Sequence, residues 1–364
     1  MLRLVAVMLL TVVTACGHQA TPVQPPAETT GSSSTATQEF DAVTVTRLDA
    51  AIHDAMRSVS TPGAIIGVWG PPGRYVRAVG VADKATGAAM NPDFYTRIGS
   101  ETKTFTVTAV LQLADQGKVG LDDPVAKYVD GVPQGERITL RQLARMQSGL
   151  YNYSDAFAQP AVTSPGQTFR YCNTNSILLG LVVENVSGQS LPDYIGEHIL
   201  TPLGMRHTSF PTGNEFPQPH AQGYTNLTAN GAEAIATDWD PSWGWAAAAM
   251  ISTLEDLHIW APAAATGKLL SPAMQRQRLE TIDEPGLPIQ VGYGLGIFNF
   301  AGWIGHSGTL PGYQTVAVYL PEQQLTLVIL TNTDIHYRGA DPATTLAAAI
   351  TTVISPNHRY ALSP

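Results

Sequence analysis

The sequence predicts a multi-domain α+β fold, in which an antiparallel sheet built from both chain ends is flanked by helices and carries an inserted, mainly helical region. Short segments rich in β-branched and aromatic residues occur near both ends, at 64–81 and 293–331, with turn residues between them. Between about 119 and 239, apolar residues recur at helical spacing instead. The 364 residues, of which 44% are hydrophobic, are enough for a large core.

The first sixteen residues have the pattern of an export signal. Arg3 gives a short positive region, residues 4–13 form an apolar run too short for a stable transmembrane helix, and small residues precede Cys16. The pattern resembles a bacterial lipoprotein signal, which implies that a lipid on Cys16 anchors the protein to the cell membrane on its extracytoplasmic side. An ordinary cleaved signal peptide is the alternative. A disulfide between Cys16 and Cys172 is disfavoured, because anchoring or cleavage removes Cys16 from the folded part.

Two segments of different composition follow the signal. Residues 17–40 are rich in Pro, Thr, Ser and Gln, a composition that buries too little apolar surface to order itself, so we predict a flexible tether. Residues 41–364 have globular composition throughout and form the predicted folded domain. Its α/β part is expected at about 41–105 and 245–364, and its helical part at about 106–244.

Periodicity and turn residues predict the elements of this domain. The helix that begins at Ser100 is apolar or small on nearly all sides, so it should be buried, and Gly117 ends it. The last helix has Asp341 as its N-cap and Pro342 in its first position. The predicted helices are 47–59, 100–116, 176–186, 191–199 and 342–354, and the predicted strands are 64–69, 75–81, 293–298, 303–305, 314–320 and 325–331.

Charge and composition argue against several functions. The net charge is −9 and no basic run is present, so nucleic acid is not an expected partner. The nine histidines are scattered without an H-E-x-x-H pattern and the two cysteines lie far apart, so no metal and no other cofactor is predicted. A thiol hydrolase centred on Cys172 lacks a nearby histidine with an obvious role. A small-molecule or peptide substrate is the expected partner.

The first candidate catalytic motif is Ser100-Glu101-Thr102-Lys103. Three residues are slightly less than one helical turn, so Ser100 and Lys103 project from the same helix face. The helix dipole favours an alkoxide at Ser100, and burial disfavours a protonated Lys103. A neutral Lys103 would then accept the serine proton. The alternative is an N-cap serine beside a surface lysine.

The second candidate is Tyr171-Cys172-Asn173. A phenolate at Tyr171, with its pKa lowered by a nearby ammonium, would serve as a general base, and Asn173 offers an amide to hold substrate or Lys103. Tyr224 begins a second match to the same spacing. We favour Tyr171 because it directly precedes an apolar helix, whereas Tyr224 lies among Gly, Thr and Asn in a predicted surface stretch.

The third candidate is Gly305-His306-Ser307-Gly308-Thr309, on or beside a predicted strand. Glycine there allows substrate to approach the strand backbone closely. The amide of Thr309 would pair with that of Ser100 as an oxyanion hole, and His306 and Ser307 would donate hydrogen bonds across the cleft. The alternative is a histidine satisfied within a turn.

In this order, the three motifs resemble those of the serine β-lactamase and penicillin-binding superfamily. The resemblance is to the branch of class C β-lactamases, D-alanyl-D-alanine carboxypeptidases and esterases, which carries S-x-x-K, then Y-x-N, then K/H-T/S-G. It implies a β-lactamase/transpeptidase-like fold and an acyl-enzyme at Ser100, with Lys103 and Tyr171 sharing the proton transfers. Further matching segments lie at 147–150, 202–205, 208–210, 251–257, 293–296 and 311–313.

The chain departs from that pattern at several positions. Cys172 stands where serine is usual and is interpreted as a small buried filler. His306 replaces the lysine of true β-lactamases and is a poorer carboxylate anchor. Met146-Gln147 and Ala248-Ala249 also differ, the second pair leaving the backbone at the cleft rim in doubt. No E-x-x-L-N run of the class A kind is present, so efficient β-lactam hydrolysis is not expected.

Two function classes remain open on the sequence alone. The first is an active serine hydrolase of the cell envelope, an esterase, D-amino-acid peptidase or carboxypeptidase with at most weak β-lactamase activity. The second is a catalytically silent protein that binds a cell-wall peptide or a lipid in the same cleft. The intact set of Ser100, Lys103, Tyr171 and His306 favours catalysis. The aromatic stretch 239–245 is a candidate wall of the acyl pocket, or alternatively a packed tryptophan cluster.

Overall fold

A computed structural model describes residues 38–152, 163–283 and 291–360. These residues belong to one compact unit that begins at Thr37. The signal, Cys16 and nearly all of the tether lie outside the described residues, so the predictions made for them stay predictions. In the part that is described, no helix is both long and apolar enough to cross a membrane.

The first helix shows how a cap can outweigh propensity. Helix α1 spans Ala42–Ser58, and the Asp41 carboxylate accepts hydrogen bonds from the amides of Val43 and Thr44 at 3.0 and 2.9 Å. The predicted start at residue 47 was five residues late. Residues 43–46 are all β-branched and therefore weak helix formers, but the Asp41 cap satisfies the amides of the first turn.

The main sheet has eight antiparallel strands in the order β2-β1-β12-β11-β10-β9-β8-β7. Strand β1 from the N-terminal end lies between β2 and β12, with Ala64 opposite Thr331 and Trp69 opposite Thr326. The predicted sheet built from both chain ends is therefore confirmed. Its strands are β1 Gly63–Gly70, β2 Gly73–Gly80, β7 Ile282–Asp283, β8 Val291–Tyr293, β9 Phe298–Phe300, β10 Trp303–Leu310, β11 Tyr313–Leu320 and β12 Leu325–Thr331.

Helices and short strands fill the middle of the chain. The helices are α2 Thr102–Asp115, α3 Leu140–Ala144, α4 Asn173–Ser187, α5 Leu191–Ile195, α6 Thr201–Leu203, α7 Trp245–Ala248, α8 Leu254–Thr266 and α9 Pro272–Leu279. A π-helical turn, Gly196–Leu200, joins α5 to α6. Two small sheets pair β3 Thr96–Arg97 with β6 Ile251–Ser252, and β4 Tyr224–Thr225 with β5 Ala234–Ile235. The last helix, α10, spans Pro342–Ile354 with Asp341 as its N-cap, as predicted.

Two C-terminal strand predictions were wrong in extent. The predicted strand 293–298 is two strands, β8 and β9, joined by a turn in which Gly296 has a φ of +63°, a conformation that favours glycine. The predicted strand 303–305 continues to Leu310, because residues 306–310 pair with β11, including Gly308 despite the weak strand preference of glycine.

The sheet separates two buried clusters. One contains Leu48 and Ile52 of α1 with Leu346 and Ile350 of α10. The other contains the apolar residues of α2, α4 and α8, among them Phe105 and Trp260, whose rings stack with centroids 3.9 Å apart. The candidate site lies where α2 and β10 meet.

Candidate active site

Ser100 lies in a one-turn 3-10 helix, Gly99–Glu101, that leads directly into α2. Ser100 is partly exposed, whereas residues 102–111 of α2 are buried. Gly99 has a φ of +53°, and a Cβ there would lie 2.6 Å from the backbone nitrogen of Thr309. Only glycine meets both conditions, so the turn and strand β10 can approach each other at the nucleophile.

Lys103 is completely buried and has three hydrogen-bond partners. Its Nζ lies 2.9 Å from Ser100 Oγ, 2.8 Å from Asn173 Oδ1 and 2.9 Å from the Ala247 carbonyl oxygen. Burial lowers the pKa of Lys103 to about 7, and nearby Cys172 opposes part of this shift. The Asn173 Oδ1 and Ala247 carbonyl oxygens can only accept hydrogen bonds, so they take both hydrogens of a neutral Lys103 amine. The amine lone pair is then left for the Ser100 hydroxyl, which donates to it.

Buried threonines of α2 hold the segment that carries the Ala247 carbonyl. Thr106 donates to the Ala246 carbonyl at 2.8 Å, and the Met250 amide donates to Thr102 Oγ1 at 3.1 Å. Ala247 could not be recognised from the sequence, because a backbone carbonyl leaves no signature in residue type. The neighbouring pair Ala248-Ala249, which left the rim in doubt, is buried.

Tyr171 and Asn173 reach the site from the start of α4. Lys103 Nζ is 4.9 Å from the centroid of the Tyr171 ring, which is partly exposed, while the phenol oxygen is buried. Burial raises the pKa of the Tyr171 phenol, and the Ser100 hydroxyl, near but outside hydrogen-bonding geometry, opposes this only in part. The predicted phenolate is therefore corrected: Tyr171 is a neutral phenol at neutral pH. Cys172 between them is buried, and its thiol donates to the carbonyls of Leu150 and Tyr151 at 3.6 and 3.4 Å.

The competing tyrosine, Tyr224, lies elsewhere. It is buried rather than in a surface stretch as predicted, and its hydroxyl accepts a hydrogen bond from the Lys84 amide at 2.7 Å. Its backbone pairs with Asn332 and Asp334 rather than with the Ser100 turn. The structure brings Tyr171, not Tyr224, to Lys103.

Strand β10 forms the opposite wall through its backbone. A Cβ on Gly308 would lie 1.9 Å from the Ile98 carbonyl oxygen and 3.0 Å from the Ser100 amide nitrogen. Strand β9 pairs with β10 only as far as Gly305, opposite Phe298, so the edge from His306 to Leu310 is not covered by β9. The amides of Ser100 and Thr309 are thus brought together, as an oxyanion hole requires.

His306 and Ser307 lie on different faces of β10. His306 is 1% exposed and its Nδ1 bonds the Ser307 carbonyl oxygen, while Nε2 has no partner among the described residues. Burial and nearby Lys103 lower the pKa of His306 to about 3, so the ring is neutral. Ser307 lies opposite Val316 of the α1/α10 cluster, and its hydroxyl is near the Tyr360 phenol. The two predicted donors are therefore not side by side.

The tryptophan stretch lies at the rim. Trp239 and Trp243 are 40% and 47% exposed and line a shallow surface groove with Leu310 and Pro311, just beyond Thr309. This supports a pocket wall rather than a packed cluster for these two side chains. Trp245, in contrast, packs against the core. Within the described ranges, no three His, Cys, Asp or Glu residues are grouped to hold a metal ion.

The fold and the site together define a member of the β-lactamase family. The family model described as Beta-lactamase matches residues 48–351, and the chain belongs to that family. It therefore has the fold of the serine hydrolases of the β-lactamase and penicillin-binding type.

Particular relatives are more distant. Protein flp of Staphylococcus aureus (strain MW2) is 30% identical over 293 residues, 72% of this chain, and the chain spans 57% of that relative's length. The putative penicillin-binding protein PbpX of Bacillus subtilis (strain 168) is 28% identical over 272 residues, 70% of this chain and 66% of that protein. The solved D-stereospecific amidohydrolase from Streptomyces sp. is 28% identical, with a TM-score of 0.75 over 86% of this chain and 98% of its own.

Proposed function

We propose that the protein is a serine hydrolase that cleaves esters or amides through an acyl-enzyme at Ser100, within the branch of class C β-lactamases, D-alanyl-D-alanine carboxypeptidases and esterases. One observation supports it above all. Lys103 is buried and its pKa is lowered to about 7. In its neutral form the two N–H groups are committed to Asn173 and Ala247, and the lone pair faces the Ser100 hydroxyl at 2.9 Å. That arrangement is an activated nucleophile beside its base.

In the acylation step, Ser100 Oγ attacks the substrate carbonyl while Lys103 takes its proton. The carbonyl oxygen becomes an oxyanion between the amides of Ser100 and Thr309. The tetrahedral intermediate collapses, the bond to the leaving group breaks, and the proton passes from Lys103 through the Tyr171 phenol to the leaving group.

In deacylation, a water molecule gives a proton to Lys103 and Tyr171 and attacks the acyl carbonyl. The bond to Ser100 Oγ then breaks, Oγ regains a proton, and the acid product leaves. Tyr171 acts in both steps as a neutral relay that gives one proton and takes another, which fits its raised pKa.

The substrate is proposed to be an ester or an amide of the cell envelope, with short acyl esters ranked first. The name of the Streptomyces relative, a D-stereospecific amidohydrolase, adds D-amino-acid amides to the candidates. The name of the Bacillus relative adds penicillin-type ligands. Chromogenic cephalosporins carry a carboxylate, and the neutral His306 ring offers no charge to pair with it. We therefore rank cephalosporins below the esters and the D-amino-acid amides. Nitrophenyl esters, D-alanyl-D-alanine peptides and a cephalosporin assayed side by side test this order, and a strong preference for the cephalosporin overturns it.

Covalent labelling with a fluorophosphonate tests the reaction class. We expect labelling of the wild type and of Cys172→Ser, and none of Ser100→Ala at equal folded concentration. Cys172 is the matched control, because it is the other nucleophilic side chain beside the base. Loss of labelling in Cys172→Ser would point to a thiol hydrolase. A folded wild type without labelling would favour the silent binding protein.

The proposed location is the outer side of the cell membrane, through a lipid on Cys16. Metabolic labelling with a fatty-acid analogue is expected to mark the wild type and not Cys16→Ala. Marking of both variants would contradict the anchor without affecting the proposed reaction.

A further inference from the structure

The positions of the proton-transfer groups show which side of Ser100 receives the leaving group. This step rests on the proposed function. During collapse of the tetrahedral intermediate, the leaving group accepts the proton that Ser100 gave up. Lys103 and Tyr171 hold that proton, so the leaving group must lie on the Tyr171 side. The acyl group then extends the other way along β10, toward Leu310 and the groove of Trp239 and Trp243.

Aromatic rings line the Tyr171 side. The Phe298 ring is 4.8 Å from the His306 ring and lies nearly parallel to Tyr171, with an interplanar angle of 14° and centroids 6.4 Å apart. Tyr293 packs edge-on against Phe298 at 4.4 Å. Phe298 and Tyr171 are both partly exposed residues, in contrast to the fully buried Tyr293 behind them. Phe298 also lies opposite Gly305, where the pairing of β9 with β10 ends and the free edge of β10 begins.

The polar group on this side is an acceptor and not a cation. His306 donates through Nδ1 to the Ser307 carbonyl, which leaves a lone pair on the buried, unpartnered Nε2. An acceptor of this kind is satisfied by an N–H or O–H of the ligand. A carboxylate offers only acceptors and would be desolvated without a counter-charge.

We propose that Phe298 and His306 form a leaving-group subsite that selects uncharged leaving groups with an aromatic ring and a hydrogen-bond donor, and that disfavours a free carboxylate. Phe298 contributes the ring contact. His306 Nε2 accepts from a carboxamide or a hydroxyl. Both are specificity-determining residues, because neither is needed for attack at the carbonyl.

Matched esters with one acyl group test the subsite on the wild type. The N-acetyl-D-alanyl esters of phenyllactamide, phenyllactate and lactamide differ only in the leaving group. We expect kcat/KM for phenyllactamide to exceed that for phenyllactate at least tenfold. The kcat/KM of the phenyllactamide ester should also exceed that of the lactamide ester about three- to tenfold, the range expected for an aromatic contact. Equal rates, or a preference for the acid, overturn the proposal.

Three variants assign the effects to residues. Phe298→Leu should abolish the preference for the ring, and His306→Lys should raise the relative rate of the phenyllactate ester. Phe216→Leu is the matched control, because Phe216 is also a partly exposed phenylalanine in ring contact with a histidine, with centroids 4.1 Å apart at His220, and should leave both preferences unchanged. If a variant fails to fold, the wild-type comparison still decides.

Deacylation separates the two sides of the site. All three esters give the same acyl-enzyme, so Phe298→Leu should leave the rate of its hydrolysis unchanged while altering acylation. A slower deacylation would place Phe298 on the acyl side and overturn the proposal. Fluorophosphonate labelling releases only fluoride and does not use the subsite. Labelling without leaving-group preference therefore refutes the subsite alone, whereas no labelling refutes the proposed function.

Discussion

At the scale of single residues, the site depends on an uncharged amine in surroundings that do not stabilise its charge. Glu101, the residue after the nucleophile, is buried, and burial raises the pKa of its carboxyl well above the usual value. Trp260 and Thr104 donate to its Oε1 at 3.1 Å. A carboxyl shifted toward its protonated form in this way exerts less pull on a proton at Lys103 than an ordinary carboxylate would. The burial of Glu101 could not be recognised from the sequence, because an acidic residue in a helix is usually exposed to solvent.

The pH profile of acylation tests the charge of Lys103. The base must be deprotonated, so kcat/KM should rise as pH increases through about 7 and be lost below it. In Asn173→Asp, a carboxylate replaces the amide 2.8 Å from Nζ and stabilises the ammonium, so the inflection should move to higher pH. Stopped-flow acylation with a nitrophenyl ester between pH 5 and 10 measures both. An unmoved inflection would assign the titration to another group.

Tyr171→Phe tests the neutral relay. The phenol oxygen is buried without a hydrogen-bond partner among the described residues, so its loss should change Tm little. Proton transfer to the leaving group should slow, with kcat falling about 10²- to 10⁴-fold. Calorimetry measures the Tm, and steady-state kinetics measure kcat. A kcat within a few-fold of the wild type would remove Tyr171 from the mechanism.

At the scale of elements, contact between the Ser100 turn and strand β10 requires glycine on both sides. The Gly99 turn needs a positive φ, and Gly308 passes against the Ile98 carbonyl with no room for a side chain. The third motif therefore acts mainly through its backbone.

Gly308→Ala tests this contact. The added Cβ must push β10 away from the Ile98 carbonyl, which separates the amides of Ser100 and Thr309. We expect kcat to fall about 10²- to 10³-fold, the cost of losing one oxyanion donor. Gly196→Ala is the control, because a Cβ there meets nothing within 4 Å and its φ is −56°. Similar kinetics for both variants would contradict the close approach.

Local patterns predicted the long strands of the main sheet and five of the ten described helices, but not α8 and α9, although Thr253 and Ser271 cap them. Strand β12 and helix α10 have strong local signals, in β-branched residues and in the Asp341 cap, and their predicted bounds agree with the structure. The length of β10 depends on pairing with β11, and the β8–β9 turn on Gly296, so their own residues do not specify them. The three motifs identified Ser100, Lys103, Tyr171 and His306 by type. Their charge states follow from burial, which is a tertiary property.

At the scale of the whole molecule, the sheet separates the reaction from much of the stabilising core. Helices α1 and α10 pack on one face, while α2 and α4, which carry Ser100, Lys103 and Asn173 at or near their starts, contribute to the cluster on the other.

Leu346→Ala in α10 tests this separation. The side chain is completely buried, so its truncation should lower the free energy of unfolding by about 2–5 kcal/mol. The kcat of the folded fraction at 25 °C should stay within about twofold, because the site lies beyond the sheet. Denaturant titration measures the free energy of unfolding, and fluorophosphonate labelling counts the active sites to which kcat is referred. A large fall in kcat per labelled site would show that α10 supports the catalytic geometry.

The pairing of β1 with β12 has a consequence for biosynthesis. Partners in this ladder are separated by 257 to 267 residues, so β12 is made long after β1. An emerging polypeptide that already contains the nucleophile still lacks the middle of its sheet, and closing so long a loop is slow. Ribosome-bound intermediates that end before β12, at about residue 330, should accordingly remain protease-sensitive and hydrolytically inert, so that activity begins only after β12 has been made.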